Sequence, residues 1–162
     1  CLSEYGLNAD NYLLSIARLE PENNLEMMFD AYVKSNITTP YFVVGNHLTK
    51  YGDFLKDTYR DSGIIFLGGI FNTEHLDNIR FYSKLYLHGH SVGGTNPALL
   101  EAMAAKTFIL AHNNTIFCPF HNGWTTSRTW TRISRRYCSR NVSTNGWHGW
   151  SYPGFWRNTS YR

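Results

Sequence analysis

The 162-residue chain has little cysteine, no long apolar run and, beyond Glu101, no acidic residue at all. Its three cysteines, Cys1, Cys118 and Cys138, are odd in number, far apart and form no Cys-x-x-Cys pair. A disulfide framework and a cysteine-based zinc site are thereby excluded, and a reducing, cytoplasmic setting is expected. No stretch of 18 apolar residues is present, so no segment reads as a membrane span. Glu4, Asn8 and Asp10 interrupt the first residues, which therefore lack the apolar core of a signal peptide. The Asn-x-Ser/Thr sites at Asn36, Asn113, Asn141 and Asn158 are accordingly read as chance. Neither an Asp-x-Asp pair nor a His/Asp/Glu cluster at ligand spacing occurs, so no metal and no cofactor is expected.

The missing acid divides the chain. Residues 1–113 carry eight Lys and Arg against twelve Asp and Glu, a balance of −4. Residues 114–162 carry seven Arg and no acid, a balance of +7, together with all five tryptophans. They contain no Leu, Ala, Met, Lys or Gln either. We therefore read residues 1–10 as a short lead-in, 11–113 as one folded domain, and 114–162 as an anomalous Arg/Trp-rich tail.

What is present in 11–113 alternates regularly. Tyr12–Ala17, Tyr41–Val44, Ile64–Leu67, Leu85–Leu87 and Thr107–Ala111 are short, nearly continuous apolar runs, the pattern of strands buried on both faces. Between them lie helical stripes: Leu25, Met28, Phe29 and Tyr32; Phe54, Leu55 and Tyr59; then Leu76 and Ile79, with Tyr82 or Ser83. Asn72 or Thr73 serves as a helix cap. Five strands alternating with helices over short connections imply an α/β fold, a doubly wound Rossmann-like parallel sheet.

The last helix has the clearest start. In His88-Gly-His-Ser-Val-Gly-Gly-Thr-Asn-Pro-Ala-Leu-Leu-Glu-Ala-Met-Ala104, Asn96 suits an N-cap and Pro97 the first helical position. Leu99, Leu100, Met103 and Ala104 are expected to share its buried face. A strand, a glycine-bearing loop and a helix N-terminus make an anion site, because free N–H groups and the helix dipole point the same way. Ligands of doubly wound sheets sit outside the carboxyl ends of the strands. Here those ends carry Arg18, Gly45, Gly68-Gly69 and the His88–Asn96 loop.

Four segments in register carry a family resemblance: Ile16-Ala-Arg-Leu-Glu-Pro-Glu-Asn-Asn24, Phe42-Val-Val-Gly45, Ile65-Phe-Leu-Gly68, and Gly93–Ala104 with Leu100-Glu-Ala-Met103. Over residues 11–114 the chain resembles the C-terminal donor-binding domain of family 4 glycosyltransferases, which have the two-domain GT-B architecture. The wording Gly-His-Ser-Val-Gly-Gly-Thr-Asn-Pro is most similar to a bacterial rhamnosyltransferase-like subgroup acting in surface polysaccharide synthesis.

The resemblance implies a retaining transferase, with Arg18 on the donor diphosphate and Glu101 on the ribose hydroxyls. It puts Gly93, Gly94, Thr95 and Asn96 against phosphate or sugar oxygens. Gly68, Gly69 and Ile70 would line the base pocket. Two departures stand out: the family's first motif Glu falls at Gly93, and its Lys falls at Asn23 or Asn24. His88 and His90, placed in the loop, are the candidates to supply a proton or charge in their stead. Arg18 and His88 are the expected catalytic residues, and Asn23 and His90 are counted with the donor-binding set. Substituting Arg18 or Glu101 by Ala is expected to weaken nucleotide binding without unfolding the domain.

The implied partners are a nucleotide-sugar donor and a glycan or lipid-linked acceptor. The acceptor would be held by an N-terminal domain that this chain lacks, and the full enzyme would work at the inner face of the membrane. A fragment of this kind is expected to bind donor but to be inactive alone. A sugar-nucleotide 2-epimerase fragment and a non-catalytic nucleotide- or nucleic-acid-binding module are the alternatives.

Three readings of the tail stand: a stacking surface for single-stranded nucleic acid, a β-rich module, or a family C-terminus translated in a shifted frame. The absence of the commonest core and surface residues over 114–162 favours the last.

Overall fold

The structure is a computed structural model, and it describes residues 1–92 and 96–112 and the backbone of 130–133. Five parallel strands, β1 (Leu13–Ile16), β2 (Tyr41–Val44), β3 (Ile64–Gly68), β4 (Leu85–His88) and β5 (Ile109–His112), alternate with four helices. These are α1 (Leu25–Lys34), α2 (Lys50–Thr58), α3 (Thr73–Phe81) and α4 (Pro97–Ala104). The expected α/β alternation is therefore the observed fold. A sixth strand, β6 (Trp130–Ile133), pairs antiparallel with β5 and falls in the segment read as a tail. Sheet edges present unpaired N–H and C=O groups, and a Thr/Ile-containing segment suits a strand that satisfies them. The expectations for 113–129 and 134–162 lie outside the described residues.

Strand order is β3-β2-β1-β4-β5-β6. The chain winds outward from β1 to β3, then returns to place β4 on the other side of β1. Leu13 consequently faces Tyr41 in one neighbour and Leu85 in the other.

The two faces of the sheet explain why its strands lack polar alternation. Leu13, Tyr41 and Val43 join a core with Leu25, Phe29, Tyr32 and Leu55 of α1 and α2. Leu14, Phe42 and Val44 point the other way, into a core with Ile79, Leu99 and Ala102 of α3 and α4. Successive residues of β1 and β2 are thus buried on opposite faces, which requires helices on both.

Tyrosines serve as core residues because each buried hydroxyl has a partner. Tyr41 meets Ser15 Oγ at 2.7 Å, Tyr12 donates to the Ile79 carbonyl at 2.6 Å, and Tyr86 donates to the Ile16 carbonyl at 3.2 Å. Burial raises the pKa of all three hydroxyls, which therefore stay protonated hydrogen-bonding groups.

Several local expectations hold and others shift. Asn72 caps α3 through the His75 amide, and Asn96 caps α4 through the Ala98 amide with Pro97 at the first position. The buried face of α4 is Leu99 and Ala102, whereas Leu100 is turned out. Phe54 is likewise exposed, and α2 is held by Leu55 and the following Tyr59. On α3 the inward residues are Ile79 and, unforeseen, Arg80. The lead-in is part of the domain: Leu2–Tyr5 form a 3-10 turn, Leu7 is buried in the α3/α4 core, and the Tyr5 hydroxyl meets His75 Nδ1 at 2.8 Å.

Candidate functional site: the crevice between β1 and β4

A doubly wound sheet opens a crevice where its strand order reverses, because the connections from the two neighbouring strands leave in opposite directions. That point lies between β1 and β4. The described segments leaving these two strands, 17–24 and 89–92, are ones the sequence marks for chemistry.

They are laced together. Asn23 is buried, donates through Nδ2 to the Arg18 carbonyl at 2.7 Å, and meets His90 Nδ1 through Oδ1 at 2.9 Å. Asn24, in the left-handed region at φ 49°, donates to the Gly89 carbonyl at 2.7 Å and to Ser91 Oγ at 2.8 Å. The Ser91 amide in turn donates to the Glu22 carbonyl at 3.2 Å. Gly89 is required at this junction, since a Cβ there would overlap the Asn23 carbonyl and crowd the Met28 methyl. Asn23 was expected to stand at the ligand. Its amide has internal partners at both ends, as a buried side-chain amide needs.

β1 ends at Ile16, one residue short of the expected Ala17, and Arg18 follows two residues beyond it. Its side chain is 75% exposed and pairs with Glu20 at 3.2 Å, so it is free to leave that carboxylate for a ligand. Glu22 sits beside it. A backbone hydrogen bond holds the Glu22 carboxyl below its usual range, with Arg18 and His90 adding to the effect, which puts all three groups on one rim.

The histidines separate in character. His88 is the last residue of β4, not a loop residue, and is only 5% exposed, stacked at 18° against Tyr86 with centroids 6.2 Å apart. Burial pushes its pKa down to about 4, with His90 and His112 contributing, so it is neutral at physiological pH. His90 lies beyond the strand, half-buried, its ring 6.2 Å from that of His88.

Glu101 sits in the second turn of α4, where the sequence places it, but bonded to Arg80 of α3. The Arg80 side chain is 2% exposed and also meets Asp77 at 3.1 Å. One carboxylate oxygen of Glu101 is thus committed to a buried cation, while the side chain remains 39% exposed. Sequence reasoning missed Arg80. Only its place one residue after Ile79 on a helix hinted at it, and arginine at such a place reads as solvated surface.

The third strand end belongs to the same rim. Gly68, at φ 79°, closes β3 and accepts from the Gly45 amide at 2.9 Å. His47 of the β2–α2 connection, also unforeseen, lies against Gly68 and Phe66. Gly69 and Ile70 follow two strands away from Arg18, with no hydrogen bond joining them to the laced turns. Asn96 caps α4 at the rim, and Gly93, Gly94 and Thr95 lie outside the described residues. Among the described residues no three His, Cys, Asp or Glu side chains come together as a metal site, and no helix is long and apolar enough to cross a membrane.

Among the described residues the strand ends present an exposed cation, a positioned imidazole and a proline-started helix N-terminus, a set that suits a polyanion. No family model and no curated protein sequence matches the chain. Solved structures do. The C-terminal domain of a glycosyl transferase group 1 family protein, LpcC from Francisella tularensis, is 17% identical with TM-score 0.58, covering 81% of this chain and 73% of that one. TarM of S. aureus is 14% identical with TM-score 0.55 over 67% of this chain. The pneumococcal O-GlcNAc transferase GtfA, solved with UDP and GlcNAc, is 16% identical with TM-score 0.51 over 64%. The chain spans about a fifth of the length of these two, 22% and 21%. At such identities the likeness defines the fold: a Rossmann-like half of the GT-B architecture, as found in glycosyltransferases.

Proposed function

We propose that this chain is the donor-binding half of a glycosyltransferase, and that the β1/β4 crevice holds a nucleoside-diphosphate sugar. The observation that carries the reading is that Asn23 joins the Arg18 carbonyl to the His90 ring where the strand order reverses, at the end of β4 from which the chain leads on to α4. Arg18 releases Glu20 and forks onto the diphosphate. The helix N-terminus and the loop before it supply N–H donors. Glu101 turns its second oxygen to the ribose, and the Gly68–Ile70 turn lines the base pocket.

Such a site stabilises a leaving group. As the bond between the sugar and the diphosphate breaks, negative charge grows on the terminal phosphate and meets preorganised donors. Removal of one donor from sites of this type costs on the order of 100-fold in rate. Arg18 and the helix start carry that charge here, without a metal. His88, neutral and buried, packs against Tyr86 behind the crevice.

The finer reading follows the sequence resemblance. The donor sugar is rhamnose, transfer retains the anomeric configuration, and the acceptor is a glycan or lipid-linked chain of a bacterial surface polysaccharide. The acceptor is bound by an N-terminal domain outside this chain, in a cytoplasmic enzyme working at the inner membrane face.

Calorimetric titration of the chain with UDP, dTDP and GDP, and separately with a single-stranded oligonucleotide, tests the proposal. Binding of at least one diphosphate is expected. Oligonucleotide binding with a steep salt dependence and no diphosphate binding would refute it.

A further inference from the structure

Asn23 and His90 lie far apart in sequence and meet at 2.9 Å in the crevice, and the chemistry of their contact carries information that neither residue holds alone. A carboxamide is two-sided, one end donating and the other accepting. The Nδ2 end of Asn23 faces the Arg18 carbonyl at 2.7 Å, and a carbonyl only accepts. The amide orientation is therefore determined, and it is Oδ1 that faces His90. An oxygen that only accepts requires a donor opposite it, so His90 carries its hydrogen on Nδ1. Neutral imidazole has one N–H, which leaves Nε2 with its lone pair. Among the described residues His90 makes no other hydrogen bond, and its ring is not fully enclosed.

The backbone around His90 is clamped on both sides. The Gly89 carbonyl and Ser91 Oγ both accept from Asn24, and the Ser91 amide bonds to Glu22. Asn23 itself is only 6% exposed. The imidazole is consequently held in place and in tautomer before any ligand arrives, the condition under which a polar group acts without reorganisation.

We propose that Asn23 is a positioning residue: it fixes His90 in the Nδ1–H form, so that Nε2 takes up a proton when a nucleoside diphosphate enters the crevice. The proton comes from solvent. The product is an imidazolium whose Nδ1–H remains on Asn23 Oδ1 and whose Nε2–H donates to a phosphate oxygen, adding one positive charge opposite the diphosphate. The uptake rests on the donor reading above, whereas the tautomer assignment stands without it.

The charged and titratable groups around His90 are few. Arg18, Glu20 and Glu22 lie on the β1–α1 segment beside it, with the Glu22 carboxylate near enough for its charge to interact with the ring. His88 faces it from β4, with His112 of β5 beyond. His88 is held neutral by burial and does not compete for the proton.

Two measurements on the full chain test this. Nitrogen-15 spectra of the histidine rings at about pH 8, above the ordinary histidine range, report the tautomer of His90 in the free protein. A protonated Nδ1 is expected, retained in Asn23→Asp, which keeps an acceptor, and lost in Asn23→Ala. A protonated Nε2 in the unaltered chain would overturn the assignment. Calorimetry with UDP, dTDP and GDP at the same pH, in buffers of different ionisation enthalpy, reports proton uptake. Net proton uptake is expected, abolished in His90→Gln with affinity about tenfold weaker. Diphosphate binding without uptake, or uptake that persists in His90→Gln, overturns the proposal. Failure of every diphosphate to bind removes the donor reading and the uptake together, and leaves the tautomer measurement to judge Asn23.

Discussion

Truncation of Glu101 to Ala is the most informative perturbation, because the structure changes what it should do. On sequence grounds Glu101 is a ribose ligand whose loss affects binding alone. In the structure it is a partner of Arg80, whose side chain is 2% exposed. Among the described residues, removing the carboxylate leaves the guanidinium with Asp77 alone, itself 60% exposed, and adds an unpartnered Nη2 to the Nε that already lacks a hydrogen bond. Breaking a buried pair by deleting one member typically costs about 3–5 kcal/mol. The 39% exposure of Glu101 lets water reach part of the gap and sets the expectation near the lower end, about 3 kcal/mol. For a domain of this size that corresponds to a fall in Tm on the order of 10–20 °C. Glu101→Ala should therefore show a large Tm shift in calorimetry even with no nucleotide present. Glu101→Gln, which keeps an acceptor, should lose less. A double replacement, Arg80→Leu with Glu101→Leu, should recover most of the loss, since removing both charges leaves nothing uncompensated. Should Glu101→Ala melt within a degree or two of the unaltered chain, Arg80 is not depending on it, and the argument fails.

Three further outcomes are expected. Arg18→Ala should weaken diphosphate binding about tenfold with Tm unchanged, because an exposed pair contributes little to stability; titration and melting on one preparation check both halves. Gly89→Ala should destabilise the domain by about 1–3 kcal/mol in denaturant titration, since the new methyl meets the Asn23 carbonyl directly. Stability should also decline on mild acidification: with His88 titrating near 4 in the fold and near 6.5 when unfolded, only the unfolded chain gains a proton in that window. The His88 contribution accumulates between about pH 6.5 and 4, to about 3 kcal/mol, and is constant below; His88→Asn should remove that contribution from a stability–pH profile, leaving the smaller one of His47.

The sheet was legible because its evidence is local. Leu13-Leu-Ser-Ile16 and Tyr41-Phe-Val-Val44 are apolar at every turn of the pleat save Ser15, and that pattern has one explanation, burial on both faces. Asn96-Pro97 announced its helix for the same reason: cap and first-turn preferences act within a few residues. Polar side chains working between elements left no such trace. Nothing near Arg80 in the sequence announces Glu101, and nothing near Asn23 announces His90; the first pair exists because α3 and α4 pack on one face of the sheet, the second because β4 returns to lie beside β1. His88 was misplaced for a related reason. A polar residue beside glycine reads as loop, but the strand continues one residue further and carries the imidazole inward against Tyr86.

The position of β1, flanked by a strand that soon follows it and by another made much later, has a consequence for synthesis. A nascent chain that has emerged only through β3 holds three adjacent strands and can form half a sheet. It has no crevice, for the opposite wall does not yet exist. Competence to hold a ligand arrives in one step, when β4 docks and its loop locks onto the two waiting asparagines.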